Sequence, residues 1–241
     1  LATGPTGCGK STTLYAMLLE LRQQRINILT IEDPVEFHIP EIQQMQVNRA
    51  AGFTFASAMR NFLRHDPDVI MVGEIRDRET ADIAVESALT GHLLLSTLHT
   101  NTAASTITRL LDLGVEAYLL RASLLAVISQ RLVRLTCPHC RDVEVIAPRI
   151  REALGVGADE VFHIGRGCTQ CEGLGVHKRQ AVYEMLVMSQ RLRELVVPGA
   201  EADTIHRVAV EEGMRPITQA AVALARTGAI SLAEVWRVRA D

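Results

Sequence analysis

The sequence predicts an α/β protein built around a mainly parallel sheet. In its first half, short apolar runs alternate with segments whose apolar residues recur at helical spacing. One such run, residues 69–72, is too short for a helix and is typical of a strand covered on both faces. Strands that alternate with helices favour a parallel sheet with helices on both faces, whose ligands bind beyond the C-terminal strand ends.

A glycine-rich loop near the start of the chain supports this fold class. Residues 4–11 read GPTGCGKS, the phosphate-binding pattern of a P-loop NTPase, and they open a predicted helix. Backbone N–H groups of such a loop point at a phosphate, Lys10 can reach the β- and γ-phosphates, and the Ser11 hydroxyl can ligate Mg²⁺. The alternative, a chance match in a glycine-rich turn, is disfavoured by the helix that follows. The expected nucleotide contacts are Gly4, Pro5, Thr6, Gly7, Cys8, Gly9, Lys10, Ser11 and Thr12.

Periodicity and turn residues predict the order of the remaining elements. We expect helices at residues 11–25, 55–65, 77–89, 103–113 and 116–131, and strands at residues 26–31, 69–72 and 92–98. The phosphate loop begins at the fourth residue, so we expect the chain to be part of a longer protein. Residues 181–241 are expected to be mostly helical, and no chemistry can be assigned to them.

Composition excludes some classes of protein. A chain of 241 residues with 48% hydrophobic content can bury a sizeable core. No apolar run approaches the ~18 residues that span a bilayer, so we expect no direct membrane insertion. The net charge of −3 and the aromatic content of 4% offer neither the basic field nor the stacking rings of a nucleic-acid-binding groove, so we expect no nucleic acid as a partner.

Four of the five cysteines form two closely spaced pairs, Cys137 with Cys140 and Cys168 with Cys171. Two such pairs can present four thiolates to one tetrahedral ion, which predicts a structural Zn²⁺ site. Disulfides are the alternative, but they would be unexpected if this nucleotide-binding protein works in a reducing compartment. We divide the chain into a nucleotide-binding core (1–135), a cysteine module (136–180) and a helical C-terminal part (181–241).

Carboxylates follow two of the predicted strands. Glu74 comes just after residues 69–72 and is expected to face the phosphate loop, although it can also be a surface residue at a strand end. Glu32, Asp33 and Glu36 stand close together after the strand at 26–31. Three neighbouring carboxylates repel one another, so they either face water or serve a metal–nucleotide complex, and spacing alone leaves both readings open.

Two histidines, His92 and His99, flank the strand that ends near residue 98. They are an odd number of positions apart along the chain, so a regular strand would point them to opposite faces and they would not share a metal. A histidine at the C-terminal end of a strand can sense a γ-phosphate or simply make local hydrogen bonds, and both readings stay open.

Four blocks of sequence together resemble a known family. They are GPTGCGKSTT (4–13), ILTIEDPVEF (28–37), DPDVIMVGEIRD (66–77) and TGHLLLSTLHT (90–100). They resemble the Walker A, Asp-box, Walker B and His-box signatures of the type II/type IV secretion ATPase superfamily, in the family's order and over roughly the first half of the chain. The four-cysteine insert resembles the zinc module of the secretion and pilus-assembly branch.

The resemblance implies the C-terminal ATPase portion of a RecA-like motor. Such motors are hexamers at the cytoplasmic face of a bacterial inner membrane, where they contact platform proteins of a secretion or pilus system. They hydrolyse ATP with Mg²⁺ to assemble a type II secretion pseudopilus or a type IV pilus, and the branch implies Zn²⁺.

The resemblance also implies roles for individual residues. Lys10 and Ser11 would hold the phosphates and Mg²⁺, and Glu74 would orient metal-bound water. Glu36 would polarise the attacking water, with Glu32 as the second candidate. The nucleotide-state sensor would be His99, with His92 as a supporting residue. Transition-state arginines would come from an N-terminal domain or a neighbouring subunit, and Arg76 is the candidate within this chain.

Two other functions remain as alternatives. The first is a RecA-like motor that moves nucleic acid, or a relative used in DNA uptake or conjugation, against which charge and aromatic content argue. The second is a nucleotide sensor that does not hydrolyse ATP. The presence of Glu36 and Glu74 argues against such an inactive site.

Overall fold

The computed structural model describes residues 1–239 and contains a seven-stranded sheet. The strands are β1 (Ala2–Thr3), β2 (Ile28–Glu32), β3 (Gln43–Gln46), β4 (Val69–Val72), β5 (Leu93–Leu98), β6 (Ala126–Thr136) and, after two short strands, β9 (Val176–Val187). Their order is β3-β2-β4-β5-β1-β6-β9, and every neighbouring pair is parallel except β6 with β9. The predicted α/β class with a mainly parallel sheet is confirmed.

Helices cover both faces of this sheet. The described helices are α1 (Lys10–Arg22), α2 (Phe55–Phe62), α3 (Arg78–Leu89), α4 (Ala103–Asp112), α5 (Ala117–Ser123), α6 (Pro148–Ala153), α7 (Gln190–Leu195), α8 (Ala202–Glu211), α9 (Ile217–Arg226) and α10 (Leu232–Val238). Alternate residues of β4 point to opposite faces of the sheet. Val69 and Met71 belong to the hydrophobic cluster that includes α1, while Ile70 and Val72 belong to the hydrophobic cluster that includes α2 to α5. This explains why β4 is apolar throughout.

The helix predicted over residues 116–131 is wrong in its second half. Only α5 is helical there, and residues 126–136 form β6, which pairs with β1 on one side and β9 on the other. The segment AVISQRLVRLT is rich in β-branched residues and has apolar residues at spacings that also fit a helix. Backbone pairing with β1 and β9 stabilises the extended form of this segment. The C-terminal part is also less helical than predicted, because β9 extends to Val187.

The cysteine module lies at the far end of the β6–β9 ribbon. It contains α6 and a two-stranded sheet of β7 (Arg141–Val143) and β8 (His163–Gly165). Its buried Phe162 packs in one cluster with residues of α9 and α10. The proposed divisions at 135/136 and 180/181 fall within β6 and β9, so the two strands cross them. The three-part division stays a prediction.

Buried glutamates tie the C-terminal helices to the rest of the chain. Glu184 on β9, 1% exposed, accepts hydrogen bonds from the first backbone N–H of α4 at Ala103 (2.7 Å) and of α9 at Ile217 (3.3 Å). Glu144 accepts in the same way from Leu232 (2.7 Å) and Ala233 (2.9 Å) at the start of α10. A carboxylate at a helix N terminus is favoured because the first N–H groups lack intrahelical partners and carry partial positive charge.

We predict that Glu184→Ala destabilises the fold by about 2–4 kcal/mol, because two helices lose their N-terminal acceptor and their N–H groups stay buried. Urea unfolding followed by circular dichroism measures this loss. The control is Glu20→Ala on the exposed side of α1, which should change the free energy of unfolding by less than about 0.5 kcal/mol. Equal effects of the two substitutions would show that Glu184 does not hold these helices.

Candidate nucleotide site and cysteine cluster

The glycine-rich loop joins β1 to α1 and adopts a conformation that its glycines permit. Gly4 has φ 138°, and a Cβ there would lie 2.5 Å from the carbonyl oxygen of Gln130. Gly9 has φ 90° and caps α1 without any side-chain hydrogen bond, and the first turn of α1 carries no acidic residue. The first N–H groups of α1 therefore lack a side-chain cap and are suited to an anion.

Lys10 lies inside the loop and is 8% exposed. Its Nζ donates hydrogen bonds to the carbonyl oxygens of Gly4 (2.8 Å) and Pro5 (3.1 Å). Burial lowers the pKa of Lys10, and the negative charge of Glu74 opposes that shift. A phosphate beside the ammonium group would favour its charged form and would provide better acceptors than two neutral carbonyls.

A cavity of about 670 Å³ lies next to the loop. Its size is within the range of small-molecule sites. The predicted site residues that line it are Thr6, Gly7, Gly9, Lys10, Ser11, Thr12, Glu32, Glu36, Glu74 and His99, together with Arg76. The structure therefore brings together most of the residues that the sequence assigned to one site.

Glu74 and His99 meet at the ends of β4 and β5. Oε2 of Glu74 lies 2.5 Å from Nε of Arg76 and 3.5 Å from Nε2 of His99. The Glu74 side chain is only 11% exposed, whereas Arg76 and His99 are about half exposed or more. Arg76 thus places a positive charge against the carboxylate that faces the phosphate loop.

The acidic residues after β2 do not act as one cluster. Glu32 is buried and accepts hydrogen bonds from Tyr15, from Oγ1 of Thr30 (2.6 Å) and from Nε2 of Gln44 (3.1 Å). Asp33 pairs with Arg49, and Glu36 is exposed at the cavity. Both carboxylate oxygens of Glu32 therefore accept from protein donors, while the Glu36 carboxylate is accessible.

The structure does not bring His92 to the phosphate loop. Its Nδ1 lies 2.9 Å from the carbonyl oxygen of Ser87 and 3.0 Å from Oγ1 of Thr90. His92 precedes β5 and His99 follows it, so the strand separates them by roughly 20 Å. His92 lines a different, apolar cavity of about 480 Å³.

Two residues of β6 that sequence analysis missed hold the loop and its surroundings. Nε2 of Gln130 donates to the carbonyl of Cys8 (2.6 Å), and its Oε1 accepts from Oγ1 of Thr13 (2.7 Å). Arg131 donates to the carbonyl of Asn101 (2.9 Å), two residues after His99. Both residues were missed because the sequence analysis predicted a helix over residues 116–131, where the structure has β6. The β-branched residues around them were the signal that could have indicated a strand.

The four paired cysteines form one cluster, in which all four Sγ atoms lie within 4.8 Å of one another. Pairs of Sγ atoms are 3.7–4.0 Å apart, which is too far for a disulfide and close to the ~3.8 Å edge of a tetrahedral ZnS₄ site. Backbone N–H groups of Cys168 and Gly175 donate to Sγ of Cys171. Burial raises the pKa of Cys171, but these hydrogen bonds outweigh it and lower the value to about 6.

Comparison with known proteins identifies the family. A sequence model described as Type II/IV secretion system protein matches residues 1–237. The chain belongs to this family. Its relatives include the type IV pilus assembly ATPase PilB of Thermus thermophilus, 47% identical over 98% of this chain and 27% of PilB. They also include the type II secretion system ATPase E of Vibrio cholerae, 47% identical over 99% of this chain and 48% of that protein.

Solved structures of similar ATPases have the same fold. The ATPase DotB of Legionella pneumophila has a TM-score of 0.72 at 28% identity, over 98% of this chain and 58% of DotB. The pilus retraction motor PilT with bound ADP has a TM-score of 0.71 at 30% identity, over 100% of this chain and 60% of PilT. The predicted RecA-like P-loop fold is thereby confirmed.

This family member spans only part of its relatives, about a quarter of PilB and half of the Vibrio protein. Within residues 1–239, no helix is both long and apolar enough to cross a membrane.

Proposed function

We propose that the chain is the ATP-hydrolysing part of a motor that assembles a type II secretion pseudopilus or a type IV pilus. The observation that carries this proposal is the cavity shared by the phosphate loop, Glu36, Glu74 and His99. The names of the two relatives at 47% identity, a pilus assembly ATPase and a type II secretion ATPase, support this choice of system.

In this proposal the phosphates of ATP bind at the N terminus of α1. The N–H groups of the loop would donate hydrogen bonds to the phosphate oxygens, and Nζ of Lys10 would exchange its two carbonyl partners for phosphate oxygens. Ser11 would ligate Mg²⁺ directly and Glu74 would do so through water. When bound, Mg²⁺ neutralises charge on the β- and γ-phosphate oxygens.

The remaining polar residues would prepare the attacking water. Glu36 is the accessible carboxylate of its loop, which suits a group that orients water and draws a proton from it. Glu32 is buried with both carboxylate oxygens engaged by protein donors, which makes it the weaker candidate, and His92 lines a different cavity. His99 is in reach of Glu74 and would report the state of the γ-phosphate through that carboxylate.

We further propose the assembly in which this motor works. It would form a homo-oligomeric ring, a hexamer by analogy with the family, at the cytoplasmic face of the inner membrane. There it would contact platform proteins of the secretion or pilus system. Transition-state arginines would come from an N-terminal domain or a neighbouring subunit, and Arg76 stays the candidate within the chain.

The cysteine cluster would hold a structural Zn²⁺. All four positions of a tetrahedral ion would be filled by Cys137, Cys140, Cys168 and Cys171, so no site would remain open for catalysis. The ion would hold the module at the end of the β6–β9 ribbon. Glu144 of the same module would then be kept at the N terminus of α10.

We predict that Glu36→Gln and Glu74→Gln each lower the kcat of the full-length protein for ATP by about 100-fold or more, because each removes a carboxylate from water activation. A coupled phosphate-release assay measures kcat, and a fluorescent ATP analogue checks that binding persists. Glu86→Gln on the exposed side of α3 is the control and should leave turnover unchanged.

Two results would contradict this proposal. Unchanged turnover in Glu74→Gln would show that Glu74 does not take part in hydrolysis. Stimulation of the ATPase by DNA, with none by the membrane platform protein, would favour a motor that moves nucleic acid.

We predict that the purified protein contains one Zn²⁺ per chain and that Cys168→Ser lacks it, while Cys8→Ser retains it. Loss of the ion should speed hydrogen exchange in residues 137–175 and at the start of α10, because metal binding supplies folding energy to the module. Inductively coupled plasma mass spectrometry measures the metal, and hydrogen-exchange mass spectrometry measures the loosening. Nucleotide binding should persist; its loss in parallel with the metal would argue against a separable module.

A further inference from the structure

Tyr15 connects the helix of the phosphate loop to the loop that carries Glu36. It lies on α1, five residues after Lys10, and is 2% exposed. Its hydroxyl donates to Oε2 of Glu32 and accepts a hydrogen bond from the backbone N–H of Glu36 (3.1 Å). Its ring packs edge-on against Phe37, with 4.5 Å between ring centroids. One side chain thus contacts Glu32 at the end of β2 and two residues, Glu36 and Phe37, of the loop that follows.

The direction of these hydrogen bonds is set by charge. Burial, together with the bond to Glu32, raises the pKa of Tyr15 to about 12, so the hydroxyl keeps its proton. A protonated hydroxyl beside a carboxylate donates to it, which leaves a lone pair to accept the Glu36 N–H. The buried Glu32 therefore orients the Tyr15 hydroxyl, and the hydroxyl in turn holds the backbone at Glu36.

The loop that carries Glu36 also receives hydrogen bonds from two side chains of β3. Gln44 on β3 donates to the carbonyl of Phe37 (3.2 Å) and accepts from the N–H of Ile39 (2.6 Å). Gln46 on the same strand accepts from the N–H of Val35 (3.2 Å). These side chains fix the loop to the sheet, whereas Tyr15 fixes it to α1, roughly 7.5 Å along the helix from Lys10.

We propose that Tyr15 is a positioning residue for hydrolysis, which sets Glu36 relative to the phosphates bound at the start of α1. The inference rests on the proposed role of Glu36. Because Lys10 and Tyr15 lie on the same helix, the hydrogen bond from the Glu36 N–H to the Tyr15 hydroxyl links the position of Glu36 to the phosphates bound at the start of α1. Displacement of a reacting group by 1 Å can cost on the order of 100-fold in rate, so one anchoring hydrogen bond can matter greatly for turnover.

The test is Tyr15→Phe in the full-length protein. This substitution keeps the ring and its contact with Phe37 and removes only the hydroxyl. We expect kcat to fall about tenfold while KM for ATP stays within about twofold, because the phosphate loop is untouched. Tyr183→Phe on β9, where the side chain is exposed, is the matched control and should behave as wild type. An equal rise in KM would indicate a role in binding and would overturn the inference.

A double-mutant cycle with Glu36→Gln distinguishes positioning from a general structural effect. If Tyr15 acts through Glu36, adding Tyr15→Phe to Glu36→Gln should lower kcat by less than about twofold further. Multiplicative effects would overturn the inference while leaving the role of Glu36 intact. If Glu36→Gln alone has full activity, the proposed role of Glu36 fails instead.

A second variant covers the case in which Tyr15→Phe does not fold. Gln44→Met removes the hydrogen bonds to the Phe37 carbonyl, the Ile39 N–H and Oε1 of Glu32, and leaves the Tyr15 side chain itself unchanged. If the position of this loop controls hydrolysis, Gln44→Met should lower kcat with unchanged KM and should not add to Glu36→Gln. Unchanged kcat in Gln44→Met, or a multiplicative effect, would overturn the inference.

Discussion

The site depends on the parallel direction of four neighbouring strands. Because β2, β4, β5 and β1 run the same way, their carboxyl ends open at one edge of the sheet. Each strand end supplies a different part: the phosphate loop follows β1, the Glu36 loop follows β2, Glu74 follows β4 and His99 follows β5. Bringing carboxylates to an anion site is unfavourable unless cations offset them. Lys10 and Arg76, which lie beside the phosphate loop and against Glu74, provide that offset.

Local patterns in the sequence predicted part of this edge, while the family resemblance supplied the roles of Glu36 and His99. The phosphate loop is a contiguous motif, and the apolar run at β4 is buried on both faces, so both are visible without knowledge of distant contacts. The same applies to the paired cysteines, whose two short spacings predict a cluster that the structure then brings within 4.8 Å. The phosphate loop, the β4 run and the paired cysteines are the features for which the sequence alone carried a physical argument.

What could not be predicted depends on contacts between distant segments. Gln130 reaches Cys8 and Thr13 across more than 100 residues of sequence, and its strand was mistaken for a helix because its apolar spacing fits both. Buried Glu32 accepts a hydrogen bond from Gln44 of β3. No local sequence pattern indicated that β3 pairs with β2. Sequence spacing alone did not distinguish Glu32, Asp33 and Glu36 from one another. Their separation into a buried anchor and an accessible carboxylate is decided by tertiary hydrogen bonds.

Buried side-chain hydrogen bonds also connect the nucleotide edge to the C-terminal helices. Arg131 holds the carbonyl of Asn101, just before α4, and Glu184 accepts from the first N–H groups of both α4 and α9. Burial lowers the pKa of Arg131, and the nearby Glu184 carboxylate opposes that shift, so the two charges support each other in a buried setting. Movement of α4 without α9 would leave a buried N–H or a carboxylate oxygen unpaired, which is costly. The segment after His99 and the starts of α4 and α9 are therefore held by one connected set of buried polar contacts.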